Sequence, residues 1–142
     1  MVLYKKCYFL FILGGIGYSA IEILWRGYTH PSMGILGGLC LIAIWFINSK
    51  FNALSILFRA GICAVVITVM EFLTGILLNI TLDLAVWDYS DKPLNFMGQI
   101  CPFYSMLWFL LCLTLIFIAE RFLTFFQAKK RTVSSVSRPD HT

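Results

Sequence analysis

Glu71 stands where acids rarely do, inside the apolar helical run Val66-Ile-Thr-Val-Met-Glu71-Phe-Leu-Thr-Gly-Ile-Leu-Leu78. By insertion scales a carboxylate in hydrocarbon costs roughly 2.5–3.5 kcal/mol unless it is paired or neutralised. Other groups that could do chemistry collect at the same level of the chain. Glu22, Arg26 and His30 follow one another at spacings of four, so Glu22 and Arg26 share a helix side. Asp88 and Tyr89 sit in an acidic, aromatic connection, and Asn95 and Gln99 follow it. Arg26 can pair with Glu22 one turn below it, or across a bundle with Glu71.

Two kinds of chemistry suit these residues. In the first, Glu71 and Arg26 bind a polar or charged solute in a cavity open to the outside, with Glu22, His30, Asp88, Tyr89, Asn95 and Gln99 around it. In the second, Glu71, Asp88 and His30 act as acid and base on a lipid head group. Against an enzyme, no Ser-His-Asp or Cys-His arrangement and no paired ligands at i, i+4 are legible. The structural alternative is a buried ion-pair and hydrogen-bond network that fixes helix register and holds the 87–95 loop over the outer mouth.

The elements that must position these groups are apolar helices. Of 142 residues, 60% are hydrophobic and 13% charged, with a mean hydropathy of +0.86. A soluble domain carries about 25% charge, so the chain reads as a multi-pass membrane protein. Its net charge of +4 is topology rather than a nucleic-acid footprint. Lys5-Lys6 before the first apolar run resembles the start of a signal peptide, but no small-residue cleavage site follows, so a retained helix is expected.

Four spans are expected, at about residues 7–25, 33–48, 55–80 and 98–120. They form one all-α transmembrane bundle within residues 1–128, followed by a polar, disordered cytoplasmic tail from 129 to 142. Gly14, Gly15, Gly17 and Ser19 give the first helix a slim face, and Gly34, Gly37 and Gly38 do the same for the second. Thr29 or Ser32 is placed to cap the second helix, with Pro31 at its start. On the third, Ala60, Ala64, Thr68, Glu71, Gly75 and Asn79 form a small and polar stripe that must face the bundle.

Nine basic residues (Lys5, Lys6, Lys50, Arg59, Arg121, Lys129, Lys130, Arg131, Arg138) fall on one side of this arrangement, and Arg26 and Lys92 on the other. The positive-inside rule then puts both termini in the cytoplasm and leaves the inner half of the bundle nearly featureless. Glu71 follows Arg59 by roughly 18 Å of helix rise, outward of the midplane. Each half also has a glutamate-bearing helix, a Pro-containing turn, a Met-Gly pair (Met33-Gly34, Met97-Gly98) and a later tryptophan (Trp45, Trp108). A duplication giving that echo would be a parallel two-helix repeat.

Five cysteines stand at 7, 40, 63, 101 and 112, in no Cys-x-x-Cys pair and with no histidine at ligand spacing. They read as small apolar residues, and neither a metal nor a cofactor is expected.

Glu71-Phe-Leu-Thr-Gly75, then Trp87-Asp-Tyr-Ser90, Pro93, Asn95, Gly98-Gln-Ile-Cys101 and Trp108, resembles the CmpB-like family of bacterial membrane proteins, named for ABC-transporter permeases. The likeness covers roughly Glu71 to Trp108. Larger members carry a Gly-Pro-x-x-Pro-Ile-Tyr-Gly turn after the first helix, where this chain has Trp25-Arg-Gly-Tyr-Thr-His30-Pro-Ser-Met-Gly34. The resemblance implies a small permease-like component in the cell membrane. The chain has no Gly-x4-Gly-Lys-[Ser/Thr] loop, so ATP-driven transport implies a separate ATPase subunit. Four helices are few for a pathway, which implies a homo-oligomer.

Overall fold

The computed structural model describes residues 2–136, with side chains from residue 3 to residue 125. It is all-helical: α1 (Val2–Arg26), α2 (Pro31–Lys50), α3 (Ile56–Gly75) and α4 (Pro102–Val136), with α3 running on into a π-helical stretch, Ile76–Thr81. All four helices are long and apolar enough to cross a membrane. Large apolar side chains such as Phe9, Ile16, Leu24, Phe58, Val65 and Phe122 stand exposed around the bundle. An apolar surface of that extent has lipid as its natural solvent.

Short connections make α1, α2 and α3 antiparallel neighbours, and the longer 82–101 segment returns the chain to α4. His30 caps α2 by accepting from Ser32 N at 3.3 Å, with Pro31 in the first turn, while Thr29 turns back to Glu22. Capping therefore falls to His30 rather than to Thr29 or Ser32. Ser55 caps α3, accepting from Phe58 N at 3.4 Å. The fourth helix starts at Pro102 instead of Gly98, because Gly98 takes a left-handed φ of 68° and Phe96 and Ile100 form an antiparallel bridge. Proline suits the first helical turn, where its missing N–H is not needed. The backbone of α4 reaches Val136, so the expected polar tail begins inside a helix. Residues 137–142 of that tail lie outside the described residues.

α1 packs on α2, α2 on α3, α3 on α4, and α4 makes a smaller contact with α2. The first contact is glycine on glycine. A Cβ placed on Gly14 would lie 2.6 Å from the Gly37 carbonyl oxygen, and one on Gly15 would lie 2.8 Å from that of Gly34. Between α2, α3 and α4 the core is Leu36, Cys40, Ile44, Ile47, Ala60, Cys63, Ile67, Cys112 and Ile116. Thr68 donates to Ser105 Oγ at 3.1 Å across α3 and α4.

The basic end of the bundle is more structured than its sequence suggests. Arg59 is 6% exposed, donating to Asn48 of α2 and pairing with Glu120 of α4. One guanidinium thereby ties three helices together. The half expected to be nearly featureless has a polar lock of its own. Lys6 lies 4.5 Å from the centre of the Trp45 ring, a cation–π contact that carries its charge to the same end. The two Met-Gly pairs differ in place, Met33-Gly34 lying within α2 and Met97-Gly98 in the turn before α4.

The glycine contact gives a direct test. A Cβ on Gly38 would lie 2.6 Å from the Phe11 carbonyl oxygen, a backbone atom that cannot step aside alone. Gly38→Val is expected to lower stability by about 1–3 kcal/mol through overpacking. The measurement is thermal or denaturant unfolding of the detergent-solubilised protein, with Gly17→Val as the comparison, since nothing lies within 4 Å of a Cβ there.

Candidate functional site

At the end opposite Arg59, two polar sets lie side by side. The first belongs to the last turn of α1. Arg26 Nη2 pairs with Glu22, Thr29 Oγ1 donates to the other carboxylate oxygen, and Arg26 Nη1 donates to the Val86 carbonyl at 3.0 Å. Of its two potential partners, Arg26 therefore takes Glu22, one turn away on the same helix. Its guanidinium also lies 4.7 Å from the centre of the Tyr28 ring. Arg26 Nε is buried and has no partner among the described residues.

The second set is built on Glu71, which is 1% exposed. Trp108 Nε1 of α4 donates to its Oε2 at 2.9 Å, and the Tyr89 hydroxyl donates to its Oε1 at 3.0 Å. Both donors are themselves held by rings: Tyr89 stacks on Tyr104 at 4.3 Å and Trp108 on Tyr18 of α1 at 5.6 Å. Burial, and next the Glu71 carboxylate, push the Tyr89 phenol well above its usual range, so it acts here as a donor.

The stretch 82–101 is a folded cap. Trp87 is buried and its indole N–H donates to the Gln99 carbonyl at 3.0 Å. Asn79, in the π-helical stretch, donates to Gln99 Oε1 at 2.8 Å and accepts from Val86 N at 2.7 Å. Gln99 and Trp87 press so closely on Gly75 that a Cβ there would lie 2.5 Å from Gln99 Oε1 and 3.1 Å from Trp87 Cζ2. At the rim, Asn95 accepts from Gly98 N at 3.0 Å and donates to the Lys92 carbonyl at 2.8 Å. Asp88 accepts from Ser90 N at 2.8 Å and from the Ser90 hydroxyl, bonds that hold its carboxyl below the usual range.

Between the two polar sets, α1 and α4 leave a cavity of about 290 Å³. Glu22 and Arg26 line it with Tyr89 and Tyr104, while Ile21, Leu107 and Leu111 supply much of its apolar wall. Tyr18 and Trp108, stacked on each other, line it as well. Glu71 is not in the lining but is bonded to two residues that are.

The residues singled out in the sequence thus divide. Glu22, Arg26 and Tyr89 meet at the cavity. Glu71 stands behind its wall. Gln99 and Asn95 build the cap, Asp88 holds its own loop, and His30 starts α2. His30, Asp88 and Glu71 belong to three separate hydrogen-bond sets. Among the described residues no three His, Cys, Asp or Glu side chains converge as metal ligands would. Sequence reasoning passed over Tyr18 and Tyr104, although their spacing carried a signal: Tyr18 lies four residues before Glu22, and Tyr104 four before Trp108.

Two outcomes follow for the wall and the cap. Glu71→Gln is expected to stay near wild-type stability, because an amide oxygen accepts from Trp108 and an amide N–H₂ donates to the Tyr89 oxygen. Glu71→Leu strands both donors and is expected to cost about 2–6 kcal/mol, at about 1–3 kcal/mol for each unsatisfied group. Unfolding of both variants beside wild type checks the pair. Gly75→Ala, which drives a methyl into Gln99 and Trp87, is expected to lose about 1–3 kcal/mol and to expose Trp87, seen as a red shift in tryptophan emission.

No match was found among curated proteins or solved structures. A family model described as "Putative ABC-transporter type IV", the CmpB-like group, matches residues 18–137, from the start of the cavity wall on α1 through the whole of the cap and α4. The chain belongs to that family, and with its four membrane-spanning helices it is a multi-pass, transport-related membrane protein.

Proposed function

We propose that the chain is a membrane-embedded transport component that takes a small solute into the cavity between α1 and α4, and that it is not itself an enzyme. The observation that carries this is the cavity itself, about 290 Å³, with the Glu22–Arg26 pair lining it in a chain of a transporter family. The volume is close to the lower end of small-molecule sites, about 300 Å³. The basic end, with Lys5, Lys6, Lys50 and Arg121, faces the cytoplasm by the positive-inside rule, so the cavity lies toward the outer face of the cell membrane. The energy source is a separate ATPase subunit, and several copies of this chain complete the pathway.

One observation favours a second reading, a non-transporting structural or assembly protein. Glu71 is wholly buried and both of its oxygens are satisfied within the chain, which is how internal polar glue behaves.

A stabilisation screen of the purified protein against small solutes separates the two. The transport reading expects at least one solute to raise the unfolding temperature saturably in wild type and in Glu71→Gln. The same solute should be silent in Leu107→Trp, whose larger ring fills the cavity. A screen in which no compound of any class protects the wild type would leave the structural reading standing.

A further inference from the structure

We propose that the solute of this cavity is an amphiphile with one apolar chain and an uncharged, oxygen-bearing head, and that it enters sideways from the membrane. The inference rests on the reading of the α1–α4 cavity as the transport site and names the chemical class that the site takes.

Three observations point the same way. First, the cavity is open along its flank. The backbones of α1 and α4 do not pack on each other, and the lining residues Ile21, Trp25 and Leu107 are 50%, 71% and 38% exposed. On a membrane-spanning helix such exposure is to lipid or to its interface, so the opening is lateral rather than an aqueous mouth.

Second, the lining has the polarity of a lipid in that leaflet. Glu22, Trp25 and Arg26 occupy the end of α1, at the level where tryptophan and arginine meet the head groups. Leu107 and Leu111 lie progressively deeper along α4. A fully hydrated solute would lose its water against leucine and isoleucine there and gain few hydrogen bonds in exchange. A chain with a polar end matches both zones at once. The volume, about ten waters' worth, holds one chain segment and not two.

Third, the charges that line the cavity cancel. Arg26 is paired with Glu22, and both Glu22 oxygens already accept hydrogen bonds. A head with a net charge of either sign would meet one member of the pair as a like charge in a poorly screened place. What the lining leaves over are two neutral hydroxyls with no hydrogen-bond partner among the described residues, those of Tyr18 and Tyr104, and their complement is a neutral oxygen such as an ester, ether or hydroxyl.

The test uses the full chain in phosphatidylcholine nanodiscs, with the unfolding temperature as readout and circular dichroism to confirm that each variant is folded. The probes are monolauroylglycerol, glycerol alone, laurate and dodecyltrimethylammonium. The expected result is a saturable rise with monolauroylglycerol and none with glycerol. Leu107→Trp abolishes the rise, and Tyr104→Phe, which keeps the ring and removes the hydroxyl, moves the half-maximal concentration up roughly two- to tenfold, as loss of one neutral hydrogen bond does. Leu107 is partly exposed, so its variant keeps the test available if Tyr104→Phe does not fold. A larger rise with laurate or with the cationic probe would overturn the uncharged head. A rise with glycerol equal to that with its lauroyl ester would overturn the chain. Protection by a water-soluble solute of the broader screen, with all four of these probes silent, would overturn the amphiphile while leaving a solute-binding cavity. Silence from every compound would overturn both.

Discussion

Hydrocarbon offers a carboxylate nothing, and the half of this bundle that carries the cap is arranged around that fact. Glu71 must find its partners inside the protein. It finds one on α4, the indole of Trp108, and one in the loop that precedes α4, the phenol of Tyr89. A single side chain therefore fixes the height of α4 against α3 and pulls the loop down onto the helix ends. Each donor reaches the acid only because a second ring braces it, Tyr104 behind Tyr89 and Tyr18 behind Trp108. Four of the chain's aromatic rings thus stand where a polar bond needs a rigid donor.

The cap depends on the same contact at one remove. With Tyr89 anchored, Trp87 two residues earlier presses on Gly75, and Gln99 closes on Asn79. The π-helical stretch is part of this. One wider turn after Gly75 carries Asn79, whose amide satisfies both the Val86 backbone and the Gln99 side chain. π-turns are frequent at functional sites and seldom persist without such compensation. At the other end of the bundle, Arg59 plays the corresponding part with Asn48 and Glu120. The two ends are locked by different chemistry, and the apolar middle needs only to fill space.

Much of this was legible in the sequence, because lipid makes the rules strict. Four apolar runs could only be helices, and the stripe through Ala60, Ala64, Glu71 and Gly75 could only face inward. The glycines of α1 and α2 announced a close crossing, and they do meet. What was not legible depended on partners far apart in the chain. Arg59 read as a topology marker because its neighbours in sequence are apolar, while Asn48 and Glu120 lie 11 and 61 residues away. Gly98-Gln-Ile-Cys101 read as helix because its apolar character continues into α4, whereas a left-handed glycine and Pro102 move the start later. Arg26 had two plausible acids, and only coordinates could choose the nearer.

The packing order also has a mechanical meaning. α1 with α2, zipped by glycine, makes one stiff plate, and α3 with α4, clamped through Glu71, makes another. Away from the α2 seam, few contacts bridge them, among them the Arg26–Val86 bond and the Tyr18–Trp108 stack. A rocking of one plate on the other would break those two, opening or pinching the slot between α1 and α4, while the α2 core and the Arg59–Asn48 bond hold the plates together as the hinge. The chain is in this sense a clothes-peg, with its spring along α2 and its jaws at the membrane surface.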